Sequence, residues 1–322
     1  MKFEKFQSLI NESMKNVGGF LRDSSFGKRK AVVTEKIHGA NFSVYFGCKD
    51  NVVGINFASR SQMLCPETNF MNCQRYFTEE KIQELLEHAS TIMALDKCEL
   101  RFIGEIYGGM DIAGIKPVQR EVHYSGDIGF RVFHAQIANN ETGEVFDYNW
   151  KNVKALASDF GFEVVPIVAE GLTFEQAYAL DQKVKSALSD KDQICEGYCI
   201  RVDADGEEGQ APLIFKKRNT DFLETKGTVK APQNTVEQTE LGMEAMARIG
   251  SFITPQRVSN VNSHHGYSSP KDFQNLMAAV LEDVLDEYKK EYDVDLRNEP
   301  VWKEIKRSVG AQVVPLVREV LL

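Results

Sequence analysis

The segment Thr34-Glu35-Lys36-Ile37-His38-Gly39-Ala40-Asn41 holds the densest chemistry in the chain. It reads as a strand ending in a lysine, a glycine-containing turn, and a second strand from Phe42. A lysine so placed can point from a sheet end into a cleft, while the Gly39 backbone lets a ligand come close. A lone Lys-x-x-Gly equally describes a hairpin turn with a solvated lysine, so the rest of the chain must decide. Further elements follow in order. Ser59-Arg60 ends a strand-like run, Phe102 to Gly109 sets Glu105 after an apolar strand, and Phe130-Arg131-Val132-Phe133 supplies an aromatic run. Glu196 then opens a strand at Gly197-Tyr198-Cys199-Ile200-Arg201, and Pro212 to Arg218 ends one with the cations Lys216, Lys217 and Arg218. Singly, the two glutamates suit solvated strand ends, Phe133 a core position and the cations a wet surface. Together, two carboxylates, an aromatic and several cations around a lysine suit a nucleotide site.

The elements that must position these residues are mostly strands. Val32-Val33-Thr34, Phe42 to Phe46, Phe130 to Phe133 and Tyr198 to Val202 are short β-branched and aromatic runs bounded by turn residues. A helix is expected after Thr78, with Glu79 and Glu80 at the positive end of its dipole, and another at the Thr173/Gln176 capping box. The fold class is α+β with a largely antiparallel sheet. From Asn219 to Gln238 polar residues, Gly227 and Pro232 show no sustained periodicity, as in a linker. Three helical patterns follow: Glu240 to Ile249, Pro270 to Tyr288 with Ser269 as N-cap, and Trp302 to Leu321. The expected domains are therefore 1–230 and a small all-helical 231–322, joined at about 219–238.

In these residues the chain resembles the ATP-dependent RNA ligases of the RNA ligase 2 type, within the lysine-adenylating nucleotidyltransferase superfamily that includes DNA ligases and mRNA capping enzymes. His38 stands where DNA ligases carry an aspartate, and the Ser59-Arg60, Glu105, Phe133, Glu196 and Lys216 blocks match the family's remaining motifs in order. Asn260, the Pro270-Lys271-Asp272-Phe273 turn and the helix after it are similar to the C-terminal domain of phage RNA ligase 2 proteins. The resemblance implies an antiparallel-sheet-rich adenylation domain before a helical RNA-end-handling domain. It implies that Lys36 takes AMP from ATP, with Mg²⁺ or Mn²⁺ as cofactor, and that the product is sealed RNA.

The implied roles are specific. Glu35 contacts adenine and Phe133 stacks on it, Arg60 and Glu105 hold the ribose and the phosphate edge, and Glu196 places the metal. Lys216 and Arg218 neutralise charge on the α-phosphate, and Asn41 and His38 complete the site. Arg257 and Asp283, by a weaker local match, handle the 5′-phosphate end. Two positions depart from the family pattern. Arg218 stands for a lysine, keeping charge but not geometry, and His134 follows Phe133 where relatives often carry an acid. The implied substrate is RNA with 3′-hydroxyl and 5′-phosphate ends, at nicks in duplex RNA, in an RNA repair role. A DNA ligase or a capping-type enzyme is the alternative within enzymes, and a non-catalytic RNA-binding relative the alternative outside them.

Composition bounds these readings. The 322 residues, 43% hydrophobic and 26% charged, exclude disordered, collagenous and disulfide-scaffold classes. A formal charge of −9 argues against a generally basic nucleic-acid coat but not against a local basic groove, at which Arg60, Lys216, Lys217 and Arg218 are expected to converge. Met1 to Phe6 carry no signal-peptide pattern and no apolar run approaches the roughly 20 residues of a membrane span, so a monomeric, cytoplasmic protein is expected, in a host's cytoplasm if phage-encoded. The six cysteines form no C-x-x-C pair; Cys195 and Cys199, on one face of a strand by period two, read as core thiols. His264-His265 reads as a polar turn between helices.

Overall fold

The computed structural model describes residues 3–12, 14–49, 52–65, 68–92, 98–124, 126–181, 183–204, 209–219, 222, 245, 248–298 and 302–321. The expected linker and the helical pattern Glu240 to Ile249 fall largely outside these residues. The chain divides into two compact units, Met1–Asp221 and Phe222–Leu322.

In the first unit the elements run β1 (Ile10–Asn11), α1 (Met14–Arg22), α2 (Ser24–Gly27), β2 (Lys30–Glu35), β3 (Ala40–Lys49), β4 (Val52–Ser59), α3 (Glu79–Ile92), β5 (Cys98–Tyr107), β6 (Gly129–Asn139), β7 (Val145–Asp147), α4 (Trp150–Asp159), β8 (Glu163–Val164), β9 (Ile167–Thr173), α5 (Phe174–Tyr178), β10 (Gly197–Val202) and β11 (Leu213–Arg218). Two sheets result. One has the order β1-β11-β10-β2-β9; the other has β4-β3-β5-β6-β7, with β8 beside β6. Only β1/β11 and β6/β8 pair in parallel among the described strands. The expected capping box closes around Thr173 and Gln176 at the start of α5, and Glu79 and Glu80 occupy the first turn of α3.

Strand alternation sorts the side chains of the second sheet. Phe42, Val44 and Phe46 share one face of β3, and Phe42 packs 5.3 Å from both Phe57 and Phe77, with Phe77 5.4 Å from Phe130. These offset and tilted rings form a phenylalanine core behind the sheet. The opposite face carries Asn41 on β3 and Ile103 and Glu105 on β5, with Asn41 directly across from Glu105. The polar residues of the site are thereby presented away from the aromatic core.

Where β5 meets β6 the register slips: Ile103 faces His134, but Gly104 faces Val132. Phe133 is the extra residue of a β-bulge, a device that re-aims side chains beside sites. The Phe6 ring lies 5.6 Å from Phe133 and 5.0 Å from His134, so the bulge brings both rings against the same N-terminal residue. His134 is fully buried between Asp147, 2.6 Å from Nε2, and Arg201, whose guanidinium lies 2.9 Å from Nδ1. Burial outweighs Asp147 and pushes the imidazole down to about 4, so His134 is neutral, donating from Nε2 to Asp147 and accepting at Nδ1 from Arg201. Arg201, on β10, also reaches Asp203 (2.6 Å) and the carbonyls of Tyr148 (2.6 Å) and Phe133 (3.3 Å). This network ties the two sheets together behind Phe133.

The second unit contains α6 (Pro255–His265), α7 (Phe273–Tyr292) and α8 (Trp302–Leu321). Ser269 caps as expected, but Pro270–Asp272 is a 3₁₀ turn before α7 begins. Leu276, Val280 and Val284 of α7 and Ile305, Val309, Val313 and Val317 of α8 recur at spacing four and are buried in a shared core. Two expectations need correction. His264 and His265 are not in a turn between helices but in the last turn of α6, which Thr254 caps, Pro255 starts and Gly266 ends in the left-handed region; a polar helix face hid its period. Cys195 precedes β10 rather than lying within it, so strand alternation does not pair it with Cys199; its thiol donates to the Gly197 carbonyl. None of the six cysteines is in a disulfide, and no helix among the described residues is long and apolar enough to cross a membrane.

Removing Arg201 leaves the half-buried Asp203 without its cation and the buried Nδ1 of His134 without its donor, a change that costs up to about 3–5 kcal/mol. Arg201→Met is expected to lower the urea-unfolding stability of the first unit by that amount, and a change below about 1 kcal/mol would show that the network does not hold the sheets.

Candidate active site

Lys36 stands one residue past β2, where the strand's pairing sets the direction of the turn. Tyr198 of β10 pairs with Glu35, and the Lys36 N–H donates to the Gly197 carbonyl at 3.0 Å. Two glycines let the backbone come this close. A Cβ on Gly39 would stand 2.3 Å from the Ile106 carbonyl oxygen and 2.8 Å from Cγ of Glu105, so only glycine lets the turn press against β5. A Cβ on Gly197, at φ +149, would stand 2.1 Å from the Lys217 carbonyl oxygen.

The centre of the site is the Glu196 carboxylate. Its Oε2 lies 2.6 Å from Nζ of Lys36 and 3.3 Å from Nδ1 of His38. His38 is buried, and its Nε2 lies 2.8 Å from Oε2 of Glu121, while its backbone N–H donates to the Tyr124 hydroxyl at 2.6 Å. Lys36, Glu196, His38 and Glu121 therefore alternate in charge along one chain of contacts. Burial alone would neutralise each member, but the alternation wins. Lys36 loses solvation yet is held above its ordinary value by Glu196 and Glu105, and His38 is pushed up to about 9 by Glu121 and Glu196 against its own burial. Glu196, buried but facing Lys36 and His38, is held well below the usual carboxylate range. Glu105 has no such close partner among the described residues: burial and Glu196 outweigh Lys36, His38 and Arg60 and push it up to about 7. The resting lysine is thus an ammonium beside one ionised carboxylate and one poised near neutrality.

Most, but not all, of the other expected residues of the first unit fall near this centre. Arg60 follows β4; burial lowers its pKa and the Glu105 carboxylate opposes that. Phe133, at its bulge, packs with Cys199 against the cluster of Phe6, Ile103 and Ile214. Lys216 lies across from Cys199, which lies across from Thr34, and Arg218 lies across from Gly197. Glu35 is buried and points elsewhere: its oxygens accept from the Ser186 hydroxyl (2.6 Å) and the Ala187 N–H (2.9 Å), and burial outweighs these in raising its pKa. Lys217 does not join the other cations, because alternation sends it to the opposite face, where Nζ donates to the carbonyls of Tyr178 (2.8 Å) and Leu180 (2.9 Å). In the second unit Arg257 and Asp283 form an ion pair with each other, Arg257 being buried beneath the Phe252 ring. No cluster of three or more His, Cys, Asp or Glu with metal-binding geometry occurs among the described residues.

The RNA ligase family model matches residues 29–218, more than half of the chain, including every first-unit residue of the site around Lys36 from Glu35 to Arg218. The chain belongs to the RNA ligase family. A second model, the T4 RNA ligase 2 C-terminal domain, matches residues 236–314. Among solved structures the chain is similar to Naegleria gruberi RNA ligase: one variant with AMP and Mn at 18% identity and a TM-score of 0.44, and the ligase with PPi at 19% and 0.43. In both, 69% of this chain is covered, and it spans 57% of the length of the Naegleria ligase.

Sequence reasoning overlooked Glu121, Tyr124 and Ser186, which hold the family's motif residues. None sits at a motif spacing. For Glu121 and Tyr124 the available signal was the long connection between β5 and β6, since connections beyond about 12–15 residues are often functional; Ser186 lies outside it, between α5 and β10.

In the folded chain His38 keeps its proton to about pH 9, against an ordinary value of 6.5. The folded state then binds more protons between these values, so the stabilisation is complete below pH 6.5 and is lost as pH rises towards 9, about 3 kcal/mol in all. Urea unfolding at these two pH values should show that loss in the wild type and much less of it in His38→Gln; an equal loss in both would contradict the ion-paired imidazole.

Proposed function

We propose that this chain is an ATP-dependent RNA ligase that joins 3′-hydroxyl and 5′-phosphate ends at nicks in duplex RNA, through a lysyl-AMP and an RNA-adenylate. The observation that carries this reading is the Lys36 amine 2.6 Å from the Glu196 carboxylate, between two sheets, with Glu105 in the same buried field. A primary amine at the focus of two carboxylates is kept as an ammonium, a latent nucleophile that must lose a proton before it attacks.

The chemistry proceeds in three transfers. Lys36, once deprotonated, attacks the α-phosphorus of ATP; an N–P bond forms, the bond to the bridging oxygen breaks, and pyrophosphate leaves. A 5′-phosphate oxygen of RNA then attacks the same phosphorus and returns the electron pair to the lysine nitrogen. Finally the 3′-hydroxyl loses its proton and attacks the RNA 5′-phosphorus, expelling AMP. Orientation and charge stabilisation do most of the work. Phe133, re-aimed by its bulge, offers a face for adenine, and Glu35 retains lone pairs beyond those used by Ser186 and Ala187 to accept from the base. Arg60 and Glu105 hold the ribose and the phosphate edge, Asn41 lies beside Glu105, and Lys216 and Arg218 face the transferred phosphoryl group as it gains charge.

Glu196, buried, and Glu105, half-buried, are oxygen donors of the kind a hard dication selects, so the site's residues fit Mg²⁺ or Mn²⁺, with Glu196 as the principal ligand. Such an ion supplies positive charge that competes with the Lys36 ammonium for the carboxylates and favours the free amine. The helical domain, from about residue 231 after a linker at about 219–238, handles the RNA 5′-phosphate end, with the buried Arg257 and the half-buried Asp283 acting as the ion pair that holds α6 to α7. The chain acts in a reducing, cytoplasmic setting, as a monomer in RNA repair.

Intact-mass measurement after incubation with ATP and Mg²⁺ is expected to show one adenylyl group on the wild type, none on Lys36→Ala and none with EDTA, with GTP a poor donor and nicked RNA preferred over nicked DNA as acceptor. Labelling that survives Lys36→Ala would sink the reading, and GTP as the better donor would favour a capping-type enzyme.

A further inference from the structure

The connection between β5 and β6, residues 108–128, is fastened on several sides. Asn72 donates to the Lys116 carbonyl (2.9 Å), Arg75 makes a two-point pair with Asp127 (2.7 and 2.6 Å), and His123 meets Asp111 (2.7 Å). From this fastened loop three side chains reach the turn that carries the nucleophile. Tyr124 accepts from the His38 N–H, Gln119 approaches the Gly39 carbonyl at 3.5 Å, and Glu121 meets Nε2 of His38 at 2.8 Å. The far nitrogen of the same imidazole faces Oε2 of Glu196, the oxygen that also holds Lys36. An imidazole held at one nitrogen can still swing about its Cβ–Cγ bond; one held at both cannot.

We propose that Glu121 is a positioning residue for adenylyl transfer, anchoring Nε2 of His38 so that the imidazole braces Glu196 and fixes the carboxylate from which Lys36 must depart. This rests on the reading of Lys36 as the AMP acceptor. Glu121 touches neither Lys36 nor Glu196 among the described contacts; it acts through His38. Its side chain is 39% exposed, so replacing it leaves the apolar core untouched. Residues that orient groups at a reacting centre typically cost on the order of tenfold or more in rate when removed.

The test is single-turnover adenylation of the wild type, Glu121→Ala and Glu121→Gln across ATP concentrations, with the His38 Nε2–H proton followed by NMR. Glutamine keeps an oxygen that can accept from Nε2–H. The expected result is an Ala variant at least tenfold slower at saturating ATP with an unchanged half-saturating concentration, a Gln variant that recovers most of the rate, and loss of the low-field Nε2–H signal in the Ala variant alone. An Ala variant as fast as wild type, a defect confined to ATP affinity, or a Gln variant as slow as Ala would overturn the proposal. Should the wild type itself take no AMP on Lys36, the proposed function fails, and the anchor is then judged by the NMR signal alone: its persistence in the Ala variant overturns it.

Discussion

Glu196 is the constraint on which the site depends. One oxygen of a buried carboxylate serves both Lys36 and His38, and each of the three would be costly to bury alone, by several kcal/mol per ion. They persist together because their charges alternate and a fourth group, Glu121, continues the alternation towards solvent. The backbone is arranged to permit this. Gly39 brings the turn against Glu105, and Gly197 brings β10 against β11 so that its carbonyl can receive the Lys36 N–H. The same pairing that makes the site stable also keeps the amine protonated. On the proposed function, stability at rest and readiness to react are opposed in Lys36, and a cation held at Glu196 would resolve the opposition.

The second determinant is where the two sheets are joined. The β-bulge at Phe133 sets that ring and His134 against Phe6, and Arg201 reaches across from β10 to the Phe133 carbonyl and to His134. Where the resembling ligases often carry an acid, this chain has a neutral imidazole whose two nitrogens are both occupied, with the carboxylate supplied by Asp147. His134 thus contributes to the seam between the sheets, and the negative charge sits one step further from Phe133.

Much of this was legible in the sequence. The strands at Val32–Thr34, Phe42–Phe46 and Tyr198–Val202 announce themselves by β-branched and aromatic runs, and Ser269-Pro270 and Thr173/Gln176 by capping chemistry, because these signals are local. The lysine turn, Glu105 and Glu196 were read as one site from their order. What was hidden depends on contacts distant in sequence. Nothing near Glu121 or Tyr124 indicates that their loop folds onto His38, and a bulge at Phe133 is set by register with β5 rather than by its neighbours. Lys217 was grouped with Lys216 and Arg218 on proximity in sequence, although period-two alternation in β11 already separates it from them. Helix α6 was missed because its polar residues mask the apolar spacing of Val258 and Val261.

The most direct test of the central claim is the protonation of Lys36 itself, followed by NMR of ¹⁵N-labelled lysine side chains across a pH titration, in the wild type and in Glu196→Gln, with and without Mg²⁺. If Glu196 holds the ammonium, Lys36 titrates above the ordinary lysine value in the metal-free wild type and falls both on addition of Mg²⁺ and on substitution of Glu196. A Lys36 resonance that titrates at the same pH in all of these states would contradict it.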